Sequence, residues 1–527
     1  MRSERRRIWN CLLVAVLVTV LAFVSDGCAA DAYTVCSSGC DYTSIQAAID
    51  AANSRDTIIV RDGIFTENID VTVDNVTIRS ENGSANCVVN ALDQNDHVFE
   101  VIADYVNIRG FTVQNATGSV KAGIYLTNDH CTISENTASN NYEGFRLAYS
   151  SSNNSLTDNT ASNNTYGISL YSNCNNNYLT GNAVSNNDDG IMLYYKCNNN
   201  NLTANTASNN TYYGITLSYS SNNNLTGNTA NSNYRYGITL SYSSNNNTLT
   251  GNTANSNNHT GISLSSSSNN NLTGNTANSN YCYGISLSSS SNNLIGNTAL
   301  NNDAGIQLYN SSNNNLTGNT ATANNWYGIY LRFSSNNNTL INNTANSNNY
   351  SGMYLDDSSN NTLTGNTANL NIEYGIRLYN SSTNLIYNNY FDNPINADDD
   401  GNNIWNLSKI PGTNIIGGSW LGGNYWSDYM GEDTNGDGLG DTQLPYNSKG
   451  YIQNGGEWLP LVKAGAPPGR WDINEDCTVN FIDLAILSAH WLELPTAPFP
   501  RYDINEDGVV NFIDLAILSA HWLETTC

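Results

Sequence analysis

Basic side chains are scarce in this chain: 19 Lys and Arg stand against 45 Asp and Glu, a formal net charge of −26. So small a supply of cations excludes a surface that tracks nucleic-acid phosphates or anionic membranes, and the acidic balance suits calcium. Long apolar runs are also missing. The one from Cys11 to Val24 is too short for a typical membrane span. It follows Arg2, Arg5, Arg6 and Arg7 and precedes Ala29, Ala30 and Ala32, the pattern of a secretory signal over residues 1–30. Ser25-Asp26-Gly27 before Cys28 fits a lipoprotein cleavage site poorly. Removing that segment leaves 15 basic against 43 acidic residues, a charge of −28, and nine cysteines. An odd number leaves at least one thiol free or intermolecular. The expected mature protein is secreted or held at the cell surface by a partner, without membrane insertion. Apolar spacing at 3.6 residues is absent from the middle of the chain, which excludes a helical repeat.

What fills the middle is a glycine that returns every 21 to 24 residues, at Gly123, Gly144, Gly167, Gly190, Gly214, Gly237, Gly261, Gly284, Gly305, Gly328, Gly352 and Gly375. Such a period signals a solenoid. The next residue is Ile in ten of twelve copies, and Leu stands three past the glycine in all twelve, from Leu126 to Leu378. Period-two spacing puts both on the inward face of a short strand. A second apolar position follows ten to twelve residues after the glycine, from Ile133 to Leu385. Asn stands three residues beyond it, from Asn136 to Asn388, and again five further on in the first eleven copies, as at Asn141, Asn233 and Asn371. Asn, Gly, Ser and Thr favour turns over helices. The expectation is all-β: a right-handed parallel β-helix with equivalent residues stacked about 4.8 Å apart and two Asn columns bonded up and down as ladders. Cys174 and Cys197 fall in one column, as a disulfide or a plain stack. Tyr166, Tyr213, Tyr236, Tyr283, Tyr327 and Tyr374 form another, to stack sugars or to pack against the coil edge.

Residues 31–391 are assigned to this β-helix, with a cap and irregular coils over 31–115 and regular repeats over 116–391. Residues 44–52 have helical spacing and would plug the open end. Early strands are read at 57–60, 71–73, 76–78 and 106–108, and a disulfide between Cys36 and Cys40. The run from about 33 to 390 resembles the pectin-lyase-like superfamily, and more closely its carbohydrate-binding, sugar-hydrolase and NosD types. That resemblance implies the fold, whereas lyases, hydrolases, epimerases and inert adhesins share it. NosD-type proteins are linked to copper. Here His97, His130, His259, His490 and His521 and Met192, Met353 and Met430 are scattered, unlike a clustered copper site.

Residues 392–463 read as a C-terminal cap. Asp433, Asn435, Asp437 and Asp441 alternate there as calcium ligands would, although Leu444 replaces the twelfth-position acid. A linker, 464–470, leads to residues 471–527, where a unit recurs with an offset of 31. Asp472, Asn474, Asp476, Asn480 and Asp483 match Asp503, Asn505, Asp507, Asn511 and Asp514 at loop positions 1, 3, 5, 9 and 12, and residues 480–493 and 511–524 are identical. Oxygens so spaced suit a hard cation. Two loop–helix units of this kind resemble a type I dockerin. The resemblance implies a small α-helical domain, two EF-hand-like calcium loops on these ten residues, a cohesin-type partner, and a Cys477–Cys527 pairing between neighbouring termini. Cys477 departs from the usual glycine, and Phe481, Ile482, Phe512 and Ile513 are larger than the small hydroxyl residues of characterised dockerins. His490 and His521 read as helix-surface residues.

Catalysis on such a coil needs clustered acids or a base with cations. Outward positions from Gly214 to Gly284 carry only Thr and Ser, with no acid–base chemistry. Two regions break the pattern: Asp188 and Asp189 near Arg146 and Lys196, and Arg332 beneath Asp356 with Asp357, Glu373 and Arg377 adjacent. The expected function is binding or processing of polysaccharide, by a lyase or glycoside hydrolase if an enzyme; the alternative is a surface adhesin or structural spacer.

Overall fold

The computed structural model describes residues 30–463, 470–474, 478–497 and 499–523. Residues 1–29 of the expected signal segment, residues 464–469 of the linker, Asp476 and the Cys477–Cys527 pairing lie outside them. The chain forms two compact units, Met1–Thr206 and Ala207–Cys527. Each contains a parallel β-solenoid, as the repeat predicts.

In the first unit, Ser44 caps the short helix α1 (Ile45–Ala51), and the Glu67 carboxylate accepts its hydroxyl and the Ile45 and Gln46 amides at 2.9 to 3.0 Å. Its apolar face, Ile45, Ala48 and Ile49, is buried and packs on the first strands of the coil, so the plug exists. Cys36 and Cys40 form the expected disulfide. The early strands are Thr57–Val60, Ile69–Val71, Thr77–Ser80 and Asn107–Arg109, each within two residues of its expected place. Register is kept without slippage: Phe99, Ile124, Phe145, Ile168 and Ile191 face one another across successive coils. Cys174 and Cys197 are buried thiols, not disulfide-bonded, whose Sγ atoms donate to Tyr171 O and Tyr194 O, so the column is a stack and not a disulfide.

The second unit continues the pattern on two strands per coil, beginning with Tyr213–Ser218 and Asn224–Thr226. The third face shrinks to single bridges that run Thr229, Thr253, Thr276, Thr298, Thr320, Thr344 and Thr367. Each regular coil sends four apolar side chains inward, for example Ile238, Leu240, Leu249 and Ala254, all fully buried. The repeating glycine is required sterically: a Cβ on Gly261 would meet Ala254 O at 2.7 Å and Gly284 O at 2.8 Å.

Buried amides hold the coils in register. Asn252 Nδ2 donates to Leu225 O and to Asn275 Oδ1, and its backbone N donates to the same Asn275 oxygen, all at 2.9 Å. This ladder runs from Asn228 through Asn366 to Asn389 and ends on Asn424. The last rung of the coil is thus Asn389 and not Asn388, because Ile386, not Leu385, is the inward residue. The second ladder gains one rung beyond the expected eleven, Asn371 to Asn393. A third, from Asn223 through Asn314 to Asn384, and a serine ladder including Ser244, Ser267 and Ser290 complete the set.

Strand Ile395–Asp399 still pairs with the coil, and beyond it Trp405 and Trp426 are buried. Their indole N–H groups donate to Asp399 Oδ2 at 3.1 Å and Glu457 Oε2 at 2.8 Å. Glu457 also takes the backbone N–H of Asn424 and its Nδ2 group, so it terminates an Asn ladder.

Replacing buried Asn275 by Leu strands donors and acceptors on both neighbours and is expected to cost about 3 kcal/mol. Asn271→Ala, at an exposed position, is expected to stay within about 0.5 kcal/mol; denaturant midpoints of the two variants check this. Burial raises the Glu457 carboxyl to about 8 from 4.5. Stability from this group is complete below the lower value and is lost as pH rises through the higher one. Glu457→Gln is expected to flatten that part of a plot of melting temperature against pH.

Candidate functional site

The duplicated segment folds as two loop–helix units, with α2 (Phe481–Ala489) and α3 (Phe512–Ala520). Asn480 and Asn511 cap them, and Asp483 and Asp514 complete capping boxes. Ile473, Val479, Leu487, Ile504, Val510 and Leu518 form their shared core. Arg501 donates to Asp472 O and Arg470 to Asp503 O, an exchange that mirrors the sequence duplication. His490 and His521 end the helices and stack on Tyr502 and Trp471 at 3.8 and 3.7 Å.

The loops turn carboxylates inward. Asp503 Oδ2 accepts from Gly508 N, Asn505 Oδ1 from Asp507 N, Asp507 Oδ1 from Val509 N, and Asp514 Oδ1 from Ile504 N. Asp503 and Asp514 are fully buried, and Asp503 Oδ1 has no hydrogen-bond partner. Burial, then the like charges of Asp514 and Asp507, raise the Asp503 pKa. Buried oxygens that repel one another fit a bound hard cation. In the first loop Asp483 Oδ1 likewise accepts from Ile473 N at 2.6 Å. The loop at 433 repeats this wiring: Asp433 Oδ2 takes Gly438 N, Asn435 Oδ1 takes Asp437 N, and Asp437 Oδ1 takes Leu439 N. Asp441 accepts Thr434 N, as Asp514 accepts Ile504 N, and Lys409 pairs with Asp437.

On the second unit's coil, a groove of about 390 Å³ is lined by Tyr283, Asp303, Trp326, Tyr327, Tyr330 and Arg332, among others. Trp326 is 54% exposed. Tyr330 and Tyr354 lie parallel at 5.1 Å, and Tyr327 packs on both. In the column of tyrosines that precede the glycines, Tyr213 stacks on Tyr236 at 5.6 Å, and Tyr327 and Tyr374 each meet Tyr350 edge-on, so these half-buried rings pack along the coil edge. Arg332 lies opposite Asp356 in register, as expected. Its guanidinium rests over Tyr309, Tyr330 and Phe333. The acids nearby are occupied: Asp356 accepts the Tyr330 hydroxyl at 3.3 Å, Asp303 the Asn325 amide at 3.1 Å, and Asp398 lies 3.0 Å from Arg377 Nε. Burial, then Asp357, raises the Asp356 pKa.

In the first unit Arg146 forms its ion pair with a residue other than Asp188 or Asp189. It pairs with Glu143, a residue the sequence pattern did not single out, and lies over Tyr125 and Tyr171. The Glu143 side chain also accepts the Ser169 hydroxyl, and both ions are buried. Asp188 is exposed, and Asp189 begins the strand Asp189–Tyr194 in the column of Glu143 and Tyr166. Asp96, His97 and Glu100 gather beside this pair. His97 Nδ1 accepts Ala122 N at 3.0 Å, and burial lowers its pKa to about 4. A neutral ring with Nδ1 as acceptor carries its proton on Nε2 and has no lone pair left for a metal.

Comparison with protein families matches residues 28–184, 98–254 and 179–300 to the right handed beta helix region, together more than half of the chain. The chain belongs to the right-handed β-helix family. Residues 470–524 match the dockerin type I domain, which the paired loop–helix geometry carries. Residues 278–431 match the family described as periplasmic copper-binding protein (NosD). That stretch contains no histidine, and of its sulfur side chains Cys282 lines the groove, Met353 is wholly buried and Met430 is 76% exposed, so among the described residues they are not the clustered donors a copper ion needs. No curated protein matches in sequence. Among solved structures, the periplasmic alginate epimerase AlgG is 18% identical over 48% of this chain and 76% of its own, with a TM-score of 0.29. The Azotobacter vinelandii mannuronan C-5 epimerase AlgE6 A-module is 16% identical over 68% and 90%, with a TM-score of 0.35. The Dettilon tailspike protein is 15% identical over 66% and 62%, with a TM-score of 0.37. Among the described residues, no helix of this β-helix protein is long and apolar enough to cross a membrane.

Proposed function

We propose that this is a secreted, calcium-binding, dockerin-bearing β-helix protein that binds polysaccharide along the groove beside Trp326 and docks to a cohesin-type partner. The observation that carries the glycan reading is the wall of rings at that groove. A broad indole left exposed next to packed tyrosines offers flat apolar faces beside hydroxyls, which suits the apolar face and polar rim of a sugar. Binding ranks ahead of catalysis because Asp356, Asp303 and Asp398 are engaged by Tyr330, Asn325 and Arg377 respectively. If the protein is an enzyme, a lyase or glycoside hydrolase remains the class, with Asp188, Asp189, Arg332 and Asp356 as the residues to mutate. The second reading, an adhesin or spacer, draws on the Thr and Ser face from Gly214 to Gly284.

Calcium would be held by the ten loop residues from Asp472 to Asp514 and, at a third place, by Asp433, Asn435, Asp437 and Asp441, whose wiring copies the dockerin loops. Calcium there would neutralise the inward carboxylates and fix each loop against its helix. Phe481 and Phe512 are both 76% exposed, and Ile482 and Ile513 both 53%, on the first turns of α2 and α3. Such apolar side chains suit an apolar cohesin face.

In calorimetric titration of the full chain, Asp483→Ala and Asp514→Ala are each expected to remove one calcium equivalent, and the double variant to lose capture on immobilised cohesins. Unchanged stoichiometry would overturn the loop assignment. Affinity electrophoresis in gels cast with different soluble polysaccharides tests the groove. At least one polymer should retard the protein, and Trp326→Ala should weaken that binding by about tenfold. No retardation by any polymer would favour the spacer.

A further inference from the structure

We infer that the groove selects an anionic polysaccharide, one carrying carboxylate or sulfate groups, through the guanidinium of Arg332; this rests on the groove being the glycan site. Acids outnumber bases 45 to 19 in this chain, so a cation has partners at hand. Arg377, Lys409 and Lys449 are paired with Asp398, Asp437 and Asp428. Arg332 makes no ion pair among the described residues, and its Nε is buried without a hydrogen-bond partner. It lines the groove nevertheless.

Its surroundings account for both facts. Tyr309, Tyr330 and Phe333 lie 5.3, 5.4 and 4.5 Å from the guanidinium carbon, so aromatic rings hold it in place and exclude water from it. The acid across the register, Asp356, is held by the Tyr330 hydroxyl, and the acid in the groove wall, Asp303, by Asn325. What remains is a guanidinium whose Nε has no hydrogen-bond acceptor, in the same groove wall as the exposed ring of Trp326. A planar fork matches the paired oxygens of an oxyanion better than it matches single hydroxyls. The arrangement thus puts a flat surface for a sugar ring beside a donor set for a charge on that ring. Arg377, stacked on Tyr350, Tyr354 and Tyr374 in the same manner and likewise without a hydrogen-bond partner for its Nε, differs in being paired with the charge of Asp398.

The test uses the full chain and matched pairs of polymers: hydroxyethylcellulose with carboxymethylcellulose, fully methyl-esterified pectin with polygalacturonate, and dextran with dextran sulfate. The charged member of at least one pair is expected to bind about tenfold more tightly, with the advantage shrinking as salt rises. Preference within the first two pairs identifies a carboxylate, and within the third a sulfate ester. Arg332→Gln should erase the difference in affinity between the charged polymer and its neutral partner. Trp326→Ala should weaken both. Should Arg332→Gln fail to fold, Arg332→Lys serves: it keeps the charge without the planar fork and should retain only part of the preference. Equal binding within every pair, or a charge preference that Arg332→Gln leaves intact while Trp326→Ala weakens binding, would overturn the inference and spare the glycan reading. No binding to any polymer, or binding indifferent to Trp326→Ala, would remove both.

Discussion

Each coil depends on the buried side-chain amide. Short strands separated by corners leave many backbone groups without a sheet partner, and the interior offers no water to satisfy them. Asn meets that need because it donates and accepts at once. Asn252 gives hydrogens to the carbonyl of Leu225 and to Asn275, while its own oxygen takes those of Asn228. Without the ladders the Ile and Leu stacks would still exclude water, but nothing would fix the corners at one height per coil. The core is therefore narrow and plain, four apolar side chains per coil, and the specificity of the fold lies in polar contacts.

The sequence displays this in proportion to its regularity. Glycine, Ile-x-Leu and two Asn columns recur at fixed offsets, so the coil, its inward residues and its period were legible. The third ladder was hidden in runs such as Asn222-Asn223-Asn224, where only Asn223 turns inward and periodicity alone does not choose among three identical residues. The slip at Asn388 has the same cause: Leu385-Ile386 and Asn388-Asn389 are doublets, and the rung is the second of each. The paired dockerin loops were legible because two segments say the same thing at an offset of 31. Glu143 was not, since an acid at an outward position reads as solvated, and only Arg146 together with the rings around it shows that the spot is buried. Spacing put Arg332 and Asp356 side by side, whereas their separate partners, an aromatic clamp and a tyrosine hydroxyl, depend on rings drawn from several coils.

Functional differentiation follows from departures against this background. From Gly214 to Gly284 the outward residues are small and uniform; at the coils of Gly305 to Gly375 they become Gln307, Tyr330, Tyr354 and Arg377. The scaffold tolerates this because outward residues do not enter the ladders. A second departure, the dockerin, puts buried carboxylates where the coils put amides. If its loops hold the proposed calcium, it exchanges self-satisfied hydrogen bonding for dependence on an ion, and its folding would answer to the surroundings while the coil's would not.

The constant rise of the coils has a consequence for any long polymer laid along them. A uniform stretch presents the same contacts at every step, so a bound chain gains nothing from one position over the next and is free to slide. A chain whose own repeat is incommensurate with the coil spacing also drifts out of phase. Only an aperiodic feature pins it. The cluster around Trp326 would act as the pawl on such a track, with the even coils before it as the rail.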